Sequence, residues 1–197
     1  ATHQILEDIG MMKMLPGMTV INPCDYNQTK LATIALGDHV GPAYLRFGRP
    51  KWPIFTPENT KFQIGKGIKF LDGNDISIFA TGHMLWQALE AEKILFSLGV
   101  SCEVINIHTI KPLDEEIILE SIKKTKCAIS CEEHNIIGGL GESISRLISE
   151  KYPIPFKVIG VNDSFGESGK PLDLLEKYNL SPESINEAAL VLLKKNE

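Results

Sequence analysis

No stretch of the 197 residues approaches the ~18 consecutive apolar positions that a membrane-spanning helix needs. The opening residues, Ala1 to Glu7, lack the charged-then-apolar order of a signal peptide. A soluble, cytoplasmic protein with no membrane partner is expected. Basic residues are outnumbered, 20 Lys+Arg against 25 Asp+Glu, so 20 − 25 gives a formal charge of −5. A nucleic-acid binder would show a basic face and a domain pI above ~9, and that class is excluded. Cysteine is sparse: Cys24, Cys102, Cys127 and Cys131 lie scattered in apolar runs without a C-x-x-C spacing. They read as reduced core thiols, not as a disulfide or zinc framework. There is no internal repeat and no low-complexity segment, and 43% hydrophobic with 23% charged residues excludes a disordered chain.

What is present is an alternation of β-branched runs with amphipathic ones, the βαβ grammar. The run Ile76 to Ala80 reads as a strand, and Met84, Ala88, Ala91, Leu95 and Leu98 mark the helix it feeds, with Gly99 as its stop. Glu103 to Ile107 reads as the next strand. Pro112 and Asp114 open a helix with Ile117, Ile118, Ser121 and Ile122 on one side and Lys123 and Lys124 in its last turn. Cys127 to Cys131 is a third strand, a Gly-rich turn leads to a helix marked by Ile144, Leu147 and Ile148, and Lys157 to Val161 is a fourth strand. Ser181 as N-cap and Pro182 launch a final helix faced by Ile185, Ala188, Ala189, Leu192 and Leu193. The fold class is α/β, a mostly parallel, doubly wound sheet covered by helices on both sides.

The first fifty residues predict a helix around Ile5 to Leu15, a strand Thr19 to Ile21, a helix around Gln28 to Gly37 and a strand Ala43 to Phe47. These elements are too few to finish a sheet and form a partial α/β fragment. Pro50, Pro53 and Pro57 forbid a helix interior and favour an extended linker. The division is placed at 1–62 and 63–197.

Few side chains stand out for chemistry on residue type alone. The turn Asn135 to Gly141, G-G-x-G between a strand and a helix, occupies the context of a phosphate-cradling loop, but its spacing fits close backbone packing better. Glu132, Glu133 and His134 are consecutive, a poor arrangement for converging on one metal ion, and read as a polar strand end that contacts a neighbouring region. Asp72-Gly73-Asn74-Asp75 reads as an ordinary turn, and Lys170 as a solvated charge in a loop before a helix.

Several motifs in order resemble the transketolase family. Thr2-His3-Gln4-Ile5-Leu6-Glu7-Asp8, Leu15-Pro16-Gly17 and Pro23-Cys24-Asp25 are similar to the end of its pyrimidine-binding domain. His108-Thr109-Ile110-Lys111-Pro112, Glu132-Glu133-His134-Asn135 and Ser168-Gly169-Lys170-Pro171 are similar to its C-terminal domain. The wording favours separately encoded C-terminal subunits of transketolase over deoxyxylulose phosphate synthase or the beta subunit of 2-oxoacid dehydrogenases. The resemblance implies transfer of a two-carbon ketol unit between sugar phosphates, with thiamine diphosphate and Mg²⁺. It implies His3 as a catalytic and substrate-binding histidine and Arg49 as the arginine that grips the sugar phosphate. Arg46 is the competitor for that role, or pairs with a carboxylate at a subunit contact. The family's catalytic glutamate, aromatic ring pocket and diphosphate motif are not in these residues. The chain is therefore expected to be a C-terminal piece that binds no cofactor alone, is inactive alone, and needs an N-terminal section or subunit and a homodimer. The rival expectation is a noncatalytic interaction module.

Overall fold

The computed structural model describes residues 5–48 and 51–196, without the side chains of 195 and 196. The first elements are α1 (Asp8–Met14), β1 (Thr19–Ile21), α2 (Tyr26–Gly37) and β2 (Ala43–Leu45). Asp25 caps α2, its carboxylate accepting from the Gln28 amide at 2.9 Å, the side-chain capping that short acidic residues supply. The same carboxylate accepts from the amides of Phe55 (2.9 Å) and Thr56 (2.7 Å). The far end of the proline-rich connection is thereby pinned to the start of α2.

Downstream follow β3 (Ile68–Leu71), β4 (Ile76–Ala80), α3 (Met84–Ser97), β5 (Cys102–Asn106), β6 (Thr109–Lys111), α4 (Glu115–Thr125), β7 (Ala128–Asn135), α5 (Leu140–Lys151), β8 (Phe156–Val161), α6 (Pro171–Lys177) and α7 (Pro182–Asn196). Five strands form one sheet in the order β3-β5-β4-β7-β8, parallel except for β3. All five residues of β4 are buried, as expected for a central strand covered on both faces. Ile76, Ile78 and Ala80 pack with Met84, Leu85, Ala88 and Leu95 of α3 and with Ile185 and Ala189 of α7. Phe79 points the other way, into Ile118 and Ile122 of α4 and Ile144 and Leu147 of α5. The period-2 alternation of one strand thus feeds two helical layers, and the doubly wound α/β architecture is what forms.

Two strands depart from the sequence reading. The edge strand β3 carries Ile68-Lys69-Phe70-Leu71, with no clean alternation, and pairs antiparallel with β5. The three-residue β6 pairs antiparallel with β1, Val20 opposite Lys111 and Ile21 opposite Thr109. It completes a second sheet of order β2-β1-β6, so the first fifty residues take their third strand from beyond the proline-rich connection. Ile9, Val20 and Ile110 make a small core beneath it. Lys111 Nζ adds bonds to the carbonyls of Lys13 (2.8 Å) and Leu15 (2.7 Å). The strand read as Cys127 to Cys131 runs on as β7 to Asn135, carrying Glu132 and His134 into the interior and leaving Glu133 between them partly exposed.

Candidate functional site

The Gly-rich turn between β7 and α5 is filled by the chain's own carboxylate. Glu132 is fully buried and accepts from the amides of Leu140 at 2.7 Å and Gly141 at 2.8 Å, the first donors of α5. A Cβ at Gly139 would overlap this carboxylate, and one at Gly141 would meet Val158 at 2.5 Å. The glycines are therefore needed for close packing, and the N-terminal amides that would attract a phosphate are already taken by the Glu132 carboxyl. Burial pushes the Glu132 carboxyl up to about 7, against the pull of the two amides and Lys13. Lys13 of α1 donates from Nζ to the carbonyls of Gly138 (2.7 Å) and Gly139 (2.5 Å).

α1 lies directly on this turn. The Gly10 amide donates to His134 Nε2 at 3.3 Å, and His134 Nδ1 lies 2.6 Å from the Asn135 carbonyl. Both contacts are satisfied by one neutral tautomer, with the proton on Nδ1, and burial lowers the pKa of this ring. The Asn135 amide in turn donates to the Leu6 carbonyl at 2.7 Å. A Cβ on Gly138, whose φ is +80°, would come within 3.0 Å of Gly10 Cα, so helix and turn meet backbone to backbone.

A cleft of about 740 Å³ lies at the junction of the two sheets. β4 and β7 are adjacent strands whose connections run to opposite sides, the switch point outside whose carboxyl ends ligands of open α/β sheets bind. Here that crevice faces the segments around Ile5 and β2. Its lining includes Arg46, His83, Glu133, Val161, Ser168 and Leu174. Arg46 Nη2 donates to the Glu133 carbonyl at 2.8 Å, and its Nε lies 3.4 Å from Asp8 Oδ2, which also accepts from the Tyr44 hydroxyl at 2.8 Å. Glu133 Oε2 lies 3.4 Å from His83 Nδ1. Burial would raise the Glu133 carboxyl, but the His83 hydrogen bond and the Arg46 charge outweigh it and hold the group below its ordinary value. The His83 ring stacks on Trp52, centroids 4.6 Å apart and planes 16° apart.

His3 and Arg49 lie outside the described residues. Ile5 and Gly48, near them in sequence, line the cleft. Arg46 pairs with a carboxylate of its own chain, Asp8, and bridges α1, the end of β2 and β7. Glu132, Glu133 and His134 have separate partners: the start of α5, His83 and Gly10. Among the described residues no group of three His, Cys, Asp or Glu side chains is placed to hold a metal ion. The four cysteines are buried free thiols, and burial pushes Cys127 up to about 11. His83 and Trp52 were not anticipated, since a lone Gly-His-Met after a strand carries no signal for a contact with a residue some thirty positions earlier.

Fold and junction together define a doubly wound α/β section whose strand ends face a second, partial sheet. Residues 65–185 match the family model described as the transketolase C-terminal domain, and the chain belongs to the transketolase family. It is 42% identical over 199 residues to a putative transketolase C-terminal section of Methanocaldococcus jannaschii, covering 99% of this chain and 62% of that protein. It is 39% identical over 188 residues to the 6-deoxy-6-sulfo-D-fructose transketolase subunit SqwH of Clostridium sp. (strain MSTE9), covering 95% and 58%. Among solved structures it is similar to a split gene transketolase described as an inactive beta4 tetramer, with a TM-score of 0.94 and 39% identity, covering 98% of this chain and 63% of that one. The chain thus spans about three fifths of the length of these relatives.

Transketolases are a thiamine diphosphate family. The described residues do not fit that group at the Gly-rich turn, because the Glu132 carboxylate takes the amides that a diphosphate would use.

Proposed function

We propose that this chain is the C-terminal part of a split transketolase that moves a two-carbon ketol unit between sugar phosphates. The observation that carries this is its likeness, along nearly its whole length, to a putative transketolase C-terminal section and to a split gene transketolase. On this reading residues 1–62 are the end of the pyrimidine-binding domain with its linker, and 63–197 the C-terminal domain. Thiamine diphosphate and Mg²⁺ are held by the N-terminal section or subunit, in a cytoplasmic homodimeric assembly. The cofactor would supply the carbanion chemistry when bound. This chain's part is to bind and orient: His3 toward substrate hydroxyls near the carbonyl, where an imidazole can donate or accept near neutral pH, and Arg49 toward the sugar phosphate, whose oxygens suit a planar guanidinium fork.

The sulfofructose subunit among the relatives makes the identity of the sugar the open variable, and the pentose phosphate pathway is one setting among several. The full protein, mixed with an N-terminal section and supplied with cofactor, is expected to transfer ketol units between phosphorylated sugars. A correctly assembled mixture without such transfer overturns the proposal.

A further inference from the structure

α1 begins without a cap of its own. Glu7, at its N-cap position, makes no side-chain cap hydrogen bond, and the Leu6 carbonyl, four residues before Gly10, is occupied by the Asn135 amide. The Gly10 amide, a first-turn donor of the kind a helix cannot satisfy internally, goes instead to His134 Nε2, 124 positions along the chain. That bond exists in one protonation state. His134 is fully buried, and its Nδ1 keeps its proton on the Asn135 carbonyl, leaving the Nε2 lone pair for Gly10. A second proton would stand on Nε2 and point at the Gly10 N–H, donor against donor. Burial holds the ring below histidine's ordinary 6.5, against the pull of the Asn135 carbonyl and Asp8.

The groups around the ring offer the cation little. From α1, Asp8 favours it, but that carboxylate is shared by Arg46 and Tyr44, and the Glu7 carboxylate is bonded to the Leu6 amide. Arg46, at the end of β2, opposes it. On β7 itself, Glu132 Oε2 lies 3.9 Å from Nδ1 but loses its charge as pH falls through about 7, and Glu133 faces His83. Lys13 is bonded to the Gly138 and Gly139 carbonyls, where Glu142 and Arg146 of α5 act on it.

We propose that His134 is a pH-sensitive cap: neutral, it holds the first turn of α1 on the turn between β7 and α5, and protonation releases that turn and loosens the joint between the upstream elements and the downstream sheet. Lys13 still ties the other end of α1 to Gly138 and Gly139, so the release is local. The docked ring resists the proton, whereas a released ring takes it at the ordinary 6.5. Docking is therefore fully supported above that value and weakens as pH falls below it, by up to about 10-fold per pH unit, until the docked ring itself titrates.

The test follows amide hydrogen exchange of the full protein, corrected for intrinsic rates, from about pH 8 to about pH 5, alongside an NMR titration of the His134 ring. Protection of Gly10 and its neighbours is expected to fall by roughly 5- to 10-fold per pH unit below about 6.5, with no such step in the buried strand β4. The ring should titrate below its ordinary value, carry its proton on Nδ1 when neutral, and move the Gly10 amide signal as it titrates. His134→Gln keeps an acceptor for Gly10 and takes no proton, so its α1 protection should stay flat with pH. Glu132→Gln should keep the step. A flat wild-type profile, a fall shared equally by β4, a step that survives in His134→Gln or vanishes in Glu132→Gln overturns the proposal. If His134→Gln does not fold, the wild-type ring decides: titration at or above the ordinary value, or with the Gly10 signal unmoved, overturns it.

Discussion

Glu132→Ala takes the acceptor away from two amides at the start of α5, and its cost follows from their surroundings. The carboxylate is fully buried, and its bonds to Leu140 and Gly141 are 2.7 and 2.8 Å long. A buried donor left without a partner costs about 1–3 kcal/mol. Two such donors give roughly 2–6 kcal/mol, and a water entering the vacated space recovers part of that, so about 2–4 kcal/mol is expected. For a chain of this size each kcal/mol corresponds to roughly 2–4 °C in Tm, and a fall of about 4–16 °C should appear in thermal unfolding. The vacated amides form an anion site at the N-terminus of a twelve-residue helix. Millimolar inorganic phosphate should therefore stabilise the variant more than the wild type, where the carboxylate excludes it. A loss below about 1 kcal/mol, or phosphate stabilisation of the wild type as large as that of the variant, refutes the picture of an occupied turn.

Other perturbations have defined outcomes. The folded Glu132 carboxyl sits at about 7 against an ordinary 4.5, so between those values the native state holds more protons than the unfolded one. Its contribution is full below the ordinary value and lost as pH climbs through about 7. Glu132→Gln should accordingly gain on the wild type, by up to ~3 kcal/mol between pH 5 and pH 8; a difference flat with pH in urea unfolding counts against the buried proton. Gly138→Ala combines a φ of +80° with a Cβ 3.0 Å from Gly10 Cα. It should cost about 1–3 kcal/mol and speed amide exchange in α1; unchanged exchange there would show that the helix does not lean on the turn. In the assembled enzyme Arg49→Ala should lose about 2–4 kcal/mol in kcat/KM on phosphorylated sugars, with little change on unphosphorylated ones.

Much of the downstream sheet could be read in advance because β4, β5 and β8 are rich in Val and Ile and the covering helices repeat their apolar positions every three or four residues. Ile76 to Ala80 and the face of α3 are the clearest case. β3 and β6 carry too little pattern in four and three residues. β6 exists because of its pairing with β1, a contact some ninety positions away along the chain. Glu132 and His134 looked like the polar end of a strand, since nothing local shows that a carboxylate will cap α5 or that an imidazole will accept from Gly10. The packing role of the Gly-rich turn was readable from its G-G-x-G spacing, but not its occupant. At the junction, the motifs pointed to His3 and Arg49, outside the described residues. His83, Glu133 and Trp52 meet only when the two sheets are brought together, so no spacing could mark them. Arg46 was expected either to compete for the phosphate role or to pair with a carboxylate at a subunit contact; the carboxylate it meets, Asp8, belongs to its own chain.

The central claim, a C-terminal transketolase section that depends on an N-terminal partner for its cofactor, is tested most directly by reconstitution. Ketol transfer between phosphorylated sugars is measured for the full protein alone, for the N-terminal section alone, and for the two mixed with thiamine diphosphate and Mg²⁺. Activity that appears only in the mixture, together with cofactor binding by calorimetry to the N-terminal section and not to this chain, is the predicted result. Ketol transfer or micromolar cofactor binding by this chain alone would contradict it.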